Sequence, residues 1–316
     1  MSLIGGGTDL IEFYREHEGG VVSIAINKYV TVITKKQDPM FGEPFRLSYR
    51  DTTEYTNDID DINHDYIRDS LHYLNIDFPV EVVTVADLPG RGTGLGSSSA
   101  LLASLIGGLD SLTKTLKYTS FFGKMDKIAV INLAYTIERQ YRKCGKQDHY
   151  ASVYGDARYY QFHQDGSSTV SESMRNTIGP LLSKMFLFYT EIASDKTETI
   201  LEDQSQKSEL GIEMNKLTKI FVCALRDLNY SLCFELIDES WEIKKQFSSY
   251  VSNSIIDEKI DALRSVGAKG MKVLGSGGGG FIMGFHADLN KLKARLPGNY
   301  MDVDVDYNGL TITKIG

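Results

Sequence analysis

Cysteine is scarce in this chain: Cys144, Cys223 and Cys233 are odd in number, widely spaced and without a CxxC pair, which excludes a disulfide framework and a zinc knuckle and fits a reducing cytoplasm. Long apolar runs are also missing. The longest weakly polar stretch, SALLASLIGGL at 99–109, falls well short of the roughly 20 residues that span a bilayer, so no membrane partner is expected. Asp9 and Glu12 interrupt the first twenty residues, where a secretory signal needs a basic start and an unbroken apolar core. Positive charge is in deficit, 34 Lys plus Arg against 42 Asp plus Glu for a net −8, and nothing favours wrapping a nucleic acid. The six histidines show neither HxxH nor HExxH spacing, so a transition-metal site is not indicated. What is present is 42% hydrophobic and 24% charged residues over 316 positions, the composition of a globular protein with length for about two domains.

The text at 21–36, VVSIAINKYVTVITKK, and at 80–89, VEVVTVADLP, reads as two strands because β-branched residues dominate it. Between them, 60–76 carries Ile62, Tyr66, Ile67, Leu71 and Leu74 near helical spacing. A second helix follows Gly96, and a third is expected over 126–144 with Gly145 as its C-terminal cap. Residues 152–170 read as a hairpin, and the polar text after 167 marks a boundary between lobes at 1–172 and 173–316. Beyond it come a strand at 184–190, a long helical region at 194–251, a helix ending near Gly267, two strands around the glycines at 275–280, and a closing strand at 309–315. Strands and helices mix without regular alternation, which predicts an α+β fold.

Two glycine loops carry the chemistry. In PGRGTGLGSSSA at 89–100, glycines at alternate positions free the backbone amides to close on phosphate oxygens, and a helix beginning at Ser97 aims its positive end at the same point. No Lys follows Gly96, so this is not a Walker A loop, and the spacing fails the dinucleotide pattern. In LGSGGGGF at 274–281, Gly275, Gly277 and Gly280 match GxGxxG, but a strand follows where that fold needs a helix. Alone it reads as a tight hairpin turn; beside the first loop it reads as a second wall of one nucleotide pocket.

Three blocks together, LIGGGTDL at 3–10, PGRGTGLGSSSA and KVLGSGGGGF at 272–281, resemble the three motifs of the GHMP kinases in order and spacing. Within that family, the triple glycine before Thr8, GKQDHYASVYG at 145–155 and WEIKKQ at 241–246 are most similar to its heptose 7-phosphate kinases. The resemblance implies a two-lobed α+β fold, with a left-handed βαβ crossover in an ATP-binding N-terminal lobe and a ferredoxin-like C-terminal lobe. It implies ATP on Pro89, Gly90, Gly92, Gly94, Leu95, Gly96, Ser97, Ser98 and Ser99, Mg²⁺ on Ser98 and Glu138, and Asp148 as the base that deprotonates a sugar hydroxyl. Gly7, Thr8, Asp9, Gly277 and Gly278 would then line the sugar phosphate, and a homodimer is one assembly it admits. The implied reaction is phosphorylation of an anomeric hydroxyl for nucleotide-heptose and surface polysaccharide synthesis. Alternatives are another sugar 1-kinase of fucokinase or galactokinase type, a decarboxylase of the mevalonate type, and a sensor that binds sugar and ATP without turnover.

Each of these residues also has a plainer reading. Glu138 falls at the edge of an apolar helical stripe, where a metal or a cation must answer it; the plainer partner is Arg142 at i+4. Asp148 reads as a turn former, and Asp9 as an N-cap for the helix LIEFYREH at 10–17. Lys28 and Arg50, expected on early strands, are candidates for a substrate phosphate or solvated charges, and His149 is a substrate contact or a core histidine. Cys144 at a helix C-terminus is expected to be inert. The family pattern is broken twice. Relatives carry a strand ending in Arg ahead of the first block, whereas this chain opens at Met1, implying a start internal to a longer product or a lobe without that edge strand. Near Ser194, where similar kinases carry Arg, the nearest cation is Lys196, a point charge without bidentate geometry.

Overall fold

The computed structural model describes residues 1–38, 40, 42–89, 92–117 and 126–315. The chain opens with a short strand β1 (Ser2–Ile4), helix α1 (Ile11–His17) and strand β2 (Gly19–Ile24). Strand β3 (Val30–Lys36), the hairpin β4 (Phe45–Tyr49) and β5 (Thr52–Thr56), helix α2 (Asp65–Tyr73) and strand β6 (Val80–Ala86) follow. Three helices come next, α3 (Ser97–Lys117), α4 (Lys127–Tyr141) and α5 (Gln147–Tyr154), before the hairpin β7 (Ala157–Phe162) and β8 (Ser168–Val170). These strands make two sheets. In the order β1-β2-β7-β8 every residue of β2 is buried, as a central strand requires. In the order β3-β6-β4-β5 the single parallel pair, β4 with β6, is the one bridged by α2.

The second half runs α6 (Arg175–Leu182), β9 (Met185–Tyr189), α7 (Thr197–Ser205), α8 (Ser208–Arg226), α9 (Tyr230–Phe247) and α10 (Ser254–Ser265). It closes with β10 (Lys269–Val273), β11 (Phe281–Phe285), α11 (Leu289–Arg295) and β12 (Tyr300–Met301). Its sheet is antiparallel in the order β10-β11-β9-β12. Counted within this half that is 2-3-1-4, with helices after the first and third strands, the ferredoxin-like arrangement.

Several expected elements differ in the structure. The run at 21–36 is two strands in two sheets, because the chain turns at Asn27: its amide donates to Asp304 O at 2.9 Å and its side chain accepts from Asp304 N at 2.8 Å. The helical region at 194–251 is three helices, α7 to α9, broken where Gln206 and Asp227 end the first two. Residues 309–315 form no strand; Tyr300–Met301 takes the sheet edge beside β9 instead. Helix α4 stops at Tyr141, and Arg142 behind it is extended at φ −160° and ψ 155°, so Gly145 is not its cap. The hairpin at 152–170 begins only at Ala157, since 152–154 complete α5. Strands β1, β4 and β5 were not expected; β1 pairs antiparallel with β2 and supplies an edge to the first sheet.

The halves are not separate cores. One apolar cluster gathers Leu3, Ile4, Val22 and Ile24 from the first sheet, Phe221 and Val222 from α8, Leu236 and Ile237 from α9, and Met283 and Phe285 from the second. Phe221 is fully buried at this junction. Phe221→Ala is expected to cost about 3–5 kcal/mol, as large-to-small changes in packed cores do, and thermal unfolding followed by near-UV circular dichroism should show both halves melting together at a lower temperature. An unchanged midpoint, or loss of one half alone, would contradict the shared core.

Candidate active site

Four segments meet where the halves join. The second glycine block leaves β6 and enters α3; Pro89 is exposed at its start, Gly90 lies outside the described residues, and Leu95 packs on the shared core. Gly94 has φ +70° and Gly275 of the third block has φ +64°, conformations open to glycine. They are stacked backbone on backbone: a Cβ on Gly275 would sit 2.6 Å from Gly94 Cα, and one on Gly94 would sit 2.9 Å from Leu274 O. The two loops are therefore adjacent walls. The third loop is pinned on its far side by Gly278 N donating to Val251 O at 2.8 Å and by Ser194 Oγ donating to Gly277 O at 2.6 Å. Ser194 thus serves the loop, while Lys196 is exposed at the start of α7.

Asp148 lies in the first turn of α5 with its side chain 29% exposed, and a Cβ on Gly96 would fall 2.9 Å from its Cγ. The carboxylate of Asp148 thus touches the point where the second loop becomes α3. The amino group of Met1 donates to Ile24 O at 2.9 Å and lies 4.0 Å from Asp148 Oδ1. Burial pulls the pKa of that amino group down, and the Asp148 charge acts against the shift.

Behind the loop sits Glu138, with no exposure at all. Ser98 Oγ donates to its Oε1 at 2.7 Å and Ser99 Oγ to its Oε2 at 2.9 Å. Arg142 Nε donates to Oε1 at 2.8 Å, and Arg142 Nη2 reaches both Oε1 and Ser98 Oγ. His149 Nε2 stands 2.8 Å from Oε2, a close contact rather than an aligned hydrogen bond. Burial alone would raise this carboxyl, but the His149 contact, the Arg142 charge and the Ser98 hydroxyl outweigh it and hold the group well below the usual carboxylate range. Ser98 and Glu138 are thus brought together, and the plainer partner Arg142 is there as well.

The first glycine block ends in Asp9, which does not cap its own helix: Leu10 is the N-cap of α1 and makes no side-chain cap. Asp9 Oδ1 instead accepts from Gly7 N at 2.9 Å, and Oδ2 accepts from Gln147 N at 2.9 Å, at the start of α5. Gly145 is required beneath it, since a Cβ there would meet Asp9 Oδ2 at 1.9 Å. Burial raises the Asp9 pKa and the Asp148 charge adds to it, against the two amide donors. Thr8 is buried, its hydroxyl spent on Gly5 O and Gly20 O at 2.8 and 3.0 Å, and Gly7 faces the Gln204 amide.

Three expected substrate contacts are placed elsewhere. His149 is fully enclosed, with Tyr135 edge-on at 5.7 Å, so it braces Glu138 and does not face a substrate. Lys28 lies in the link between β2 and β3 rather than on a strand. Arg50 is exposed on the β4–β5 turn at φ +51°, next to His64. Two lysines were missed. Lys244, fully buried, donates to Val273 O at 3.0 Å and Gly275 O at 2.6 Å and so fastens the third loop to α9. Lys272 is equally buried, with Ser2 O at 3.3 Å and Ser2 Oγ at 3.4 Å. Each stood inside a block quoted above, Lys244 in WEIKKQ and Lys272 in KVLGSGGGGF.

A family model described as the GHMP kinases N terminal domain matches residues 64–156, and one described as GHMP kinases C terminal matches residues 224–301. Together they take in more than half of the chain. The chain is 26% identical over 305 residues to a D-glycero-alpha-D-manno-heptose 7-phosphate kinase of Campylobacter jejuni, covering 90% of this chain and 86% of that protein. It is 24% identical over 230 residues to the bifunctional fucokinase/GDP-fucose pyrophosphorylase of Arabidopsis thaliana, covering 67% of this chain and 20% of that one. The crystal structure of a D-glycero-D-manno-heptose 1-phosphate kinase from Bacteroides thetaiotaomicron superposes with a TM-score of 0.76 over 99% of this chain and 97% of that one, at 21% identity. At that identity the likeness concerns the fold, and it extends over both halves. Among the described residues no helix is long and apolar enough to cross a membrane.

The buried lysines give a pH signature. Burial lowers Lys272 from its usual 10.5 to about 8. Between about pH 8 and 10.5 the unfolded chain holds a proton that the native state has released, so stability from this group rises with pH across that window. Chemical denaturation at pH 7, 8.5 and 10 should show this rise in the parent and a flatter profile in Lys272→Met, whereas an unaltered profile would mean that the ammonium is solvated.

Proposed function

This chain belongs to the GHMP kinases, and we propose that it is an ATP-dependent kinase that phosphorylates the anomeric hydroxyl of a sugar phosphate, D-glycero-D-manno-heptose 7-phosphate in first place. The observation that carries the reading is the contact of Asp148 with Gly96: a partly exposed carboxylate stands against the loop whose glycines and following helix suit a phosphate chain. The match to a heptose 7-phosphate kinase across most of both chains supports the sugar. In this reading the lobes are 1–172 and 173–316, divided in the link between β8 and α6.

Phosphoryl transfer needs charge neutralisation on the phosphates and a carboxylate beside the nucleophile. The amides of residues 92–96 and the positive end of α3, whose first turn holds three serines and no acid, would meet the phosphate oxygens of ATP. Asp148 would take the proton from the sugar hydroxyl, whose oxygen then forms the new bond to the γ-phosphorus as the bond to ADP breaks. Asp9, its oxygens already held by two amides, orients the first glycine block along the sugar. Ser98 and Glu138 suit Mg²⁺, a hard cation that takes few protein oxygens and keeps its remaining positions for phosphate and water. Bound there, it would neutralise developing charge on the β- and γ-phosphates.

ADP release from Mg·ATP should be fastest with the heptose 7-phosphate and slow with sedoheptulose 7-phosphate, mannose 6-phosphate, fucose, galactose and mevalonate. Activity with fucose or galactose alone would transfer the protein to another sugar 1-kinase class. Asp148→Asn should keep the thermal stabilisation by ATP and lose at least a hundredfold in kcat, the lower range for a general base; full turnover in that variant would remove Asp148 from the role. Ser98→Ala combined with Glu138→Gln should raise the Mg²⁺ concentration for half-maximal rate, and an identical metal titration would move the ion elsewhere.

A further inference from the structure

The two oxygens of Glu138 are held in different ways. Oε2 is fixed by Ser99 at 2.9 Å and His149 at 2.8 Å, both buried within the helical layer. Oε1 is held by Ser98 at 2.7 Å and by the Arg142 guanidinium, whose side chain is 36% exposed. Arg142 Nη2 bridges Ser98 Oγ and Glu138 Oε1, on the two residues that the proposed function gives to Mg²⁺. A cation of the protein's own therefore stands on the metal's ligands.

We propose that Arg142 is a resident counter-ion of the metal site, which a divalent ion must displace from Glu138 Oε1 and Ser98, and which thereby sets the metal requirement of the enzyme. This rests on the reading that Ser98 and Glu138 hold the metal. Arg142 is the group able to leave. It follows the last residue of α4, and its side chain is 36% exposed, so it has solvent to swing into. His149 and Glu138 are enclosed and cannot. While Arg142 moves, Oε2 stays anchored on Ser99 and His149, so the carboxylate keeps its place and exchanges one oxygen's partner only. The displaced guanidinium remains beside the start of α3, where its planar fork suits the phosphate oxygens that arrive with the metal. Removing it takes away a competitor before binding and a phosphate contact after it, so metal affinity and turnover should move in opposite directions.

The test uses nucleotide-free full-length protein and Mn²⁺ alone, with free ion read by electron paramagnetic resonance, on the parent, Arg142→Gln, Arg142→Lys and Ser98→Ala. The Arg142 Nε–H resonance of the parent is followed in parallel as Mg²⁺ is added, which reads the displacement even where binding is weak. Arg142→Gln is expected to bind Mn²⁺ roughly tenfold more tightly, a modest share of one like charge removed at contact distance. Arg142→Lys should stay near the parent, Ser98→Ala should bind more weakly, and the Nε–H resonance should move with Mg²⁺. Binding that depends on Ser98 but is equal or weaker in Arg142→Gln, with a stationary Nε–H signal, would overturn the inference and leave the metal reading standing. Binding indifferent to both Ser98 and Arg142, or none in any protein, would overturn both.

Discussion

A carboxylate with no access to water is the constraint around which this site is arranged. Glu138 must be ionised or answered, and a lone buried charge costs several kcal/mol. The chain answers it from three helices at once: Ser98 and Ser99 from the start of α3, Arg142 from the end of α4, and His149 from α5. Meeting that one demand fixes the approach of all three helices. It brings the mouth of the second glycine block to α5, and so brings Gly96 against Asp148. The position of the proposed base is in this sense a consequence of satisfying Glu138.

The other joint is made without side chains. Gly94 and Gly275 approach so closely that no Cβ fits between them, and the loops they belong to come from different halves of the chain. A contact of this kind supplies little hydrophobic energy, so the alignment is held from behind. Lys244 does this by hydrogen-bonding two carbonyls at the root of the third loop. Burial pushes its ammonium well below the usual range, with the neighbouring Lys272 adding to the shift. The shared apolar core on α8 and α9 bears the load that the glycines cannot.

Those two joints were unequally legible in the sequence. The second glycine block could be read directly, because glycine at alternate positions has a backbone reason whatever the rest of the fold does, whereas the third read as a hairpin turn alone and as a second pocket wall only beside it. The α+β class followed from strands and helices that mix without regular alternation, the ferredoxin-like second sheet from the resemblance, and both agree with the strand order found. Local pattern failed where a distant partner decides the outcome. Asn27 ends a strand because Asp304 pairs with it, Asp9 leaves its own helix for Gln147 N, and Gly145 answers to Asp9 rather than to α4. His149 could be read as a substrate contact or a core histidine, because nothing nearby in sequence reveals that Glu138 lies behind it. Lys28 and Arg50 offered a basic charge expected on an early strand, and charge without a partner in view does not locate a site.

The start of α5 shows how one helix end gives two aspartates different tasks. Asp9 and Asp148 both lie there, and the Asp148 charge adds to the cost of ionising Asp9. Asp9 is enclosed, its oxygens spent on the amides of Gly7 and Gln147, and burial raises its pKa. Asp148, one residue into the helix, keeps an open side chain against Gly96. Two carboxylates whose surroundings differ this much divide into one that holds structure and one that meets a reactant. Exchanging their roles would require opening the Gly145 turn, which has no room for any side chain beneath Asp9. The proposal of Asp148 as the base therefore draws on the geometry of its neighbour as much as on its own.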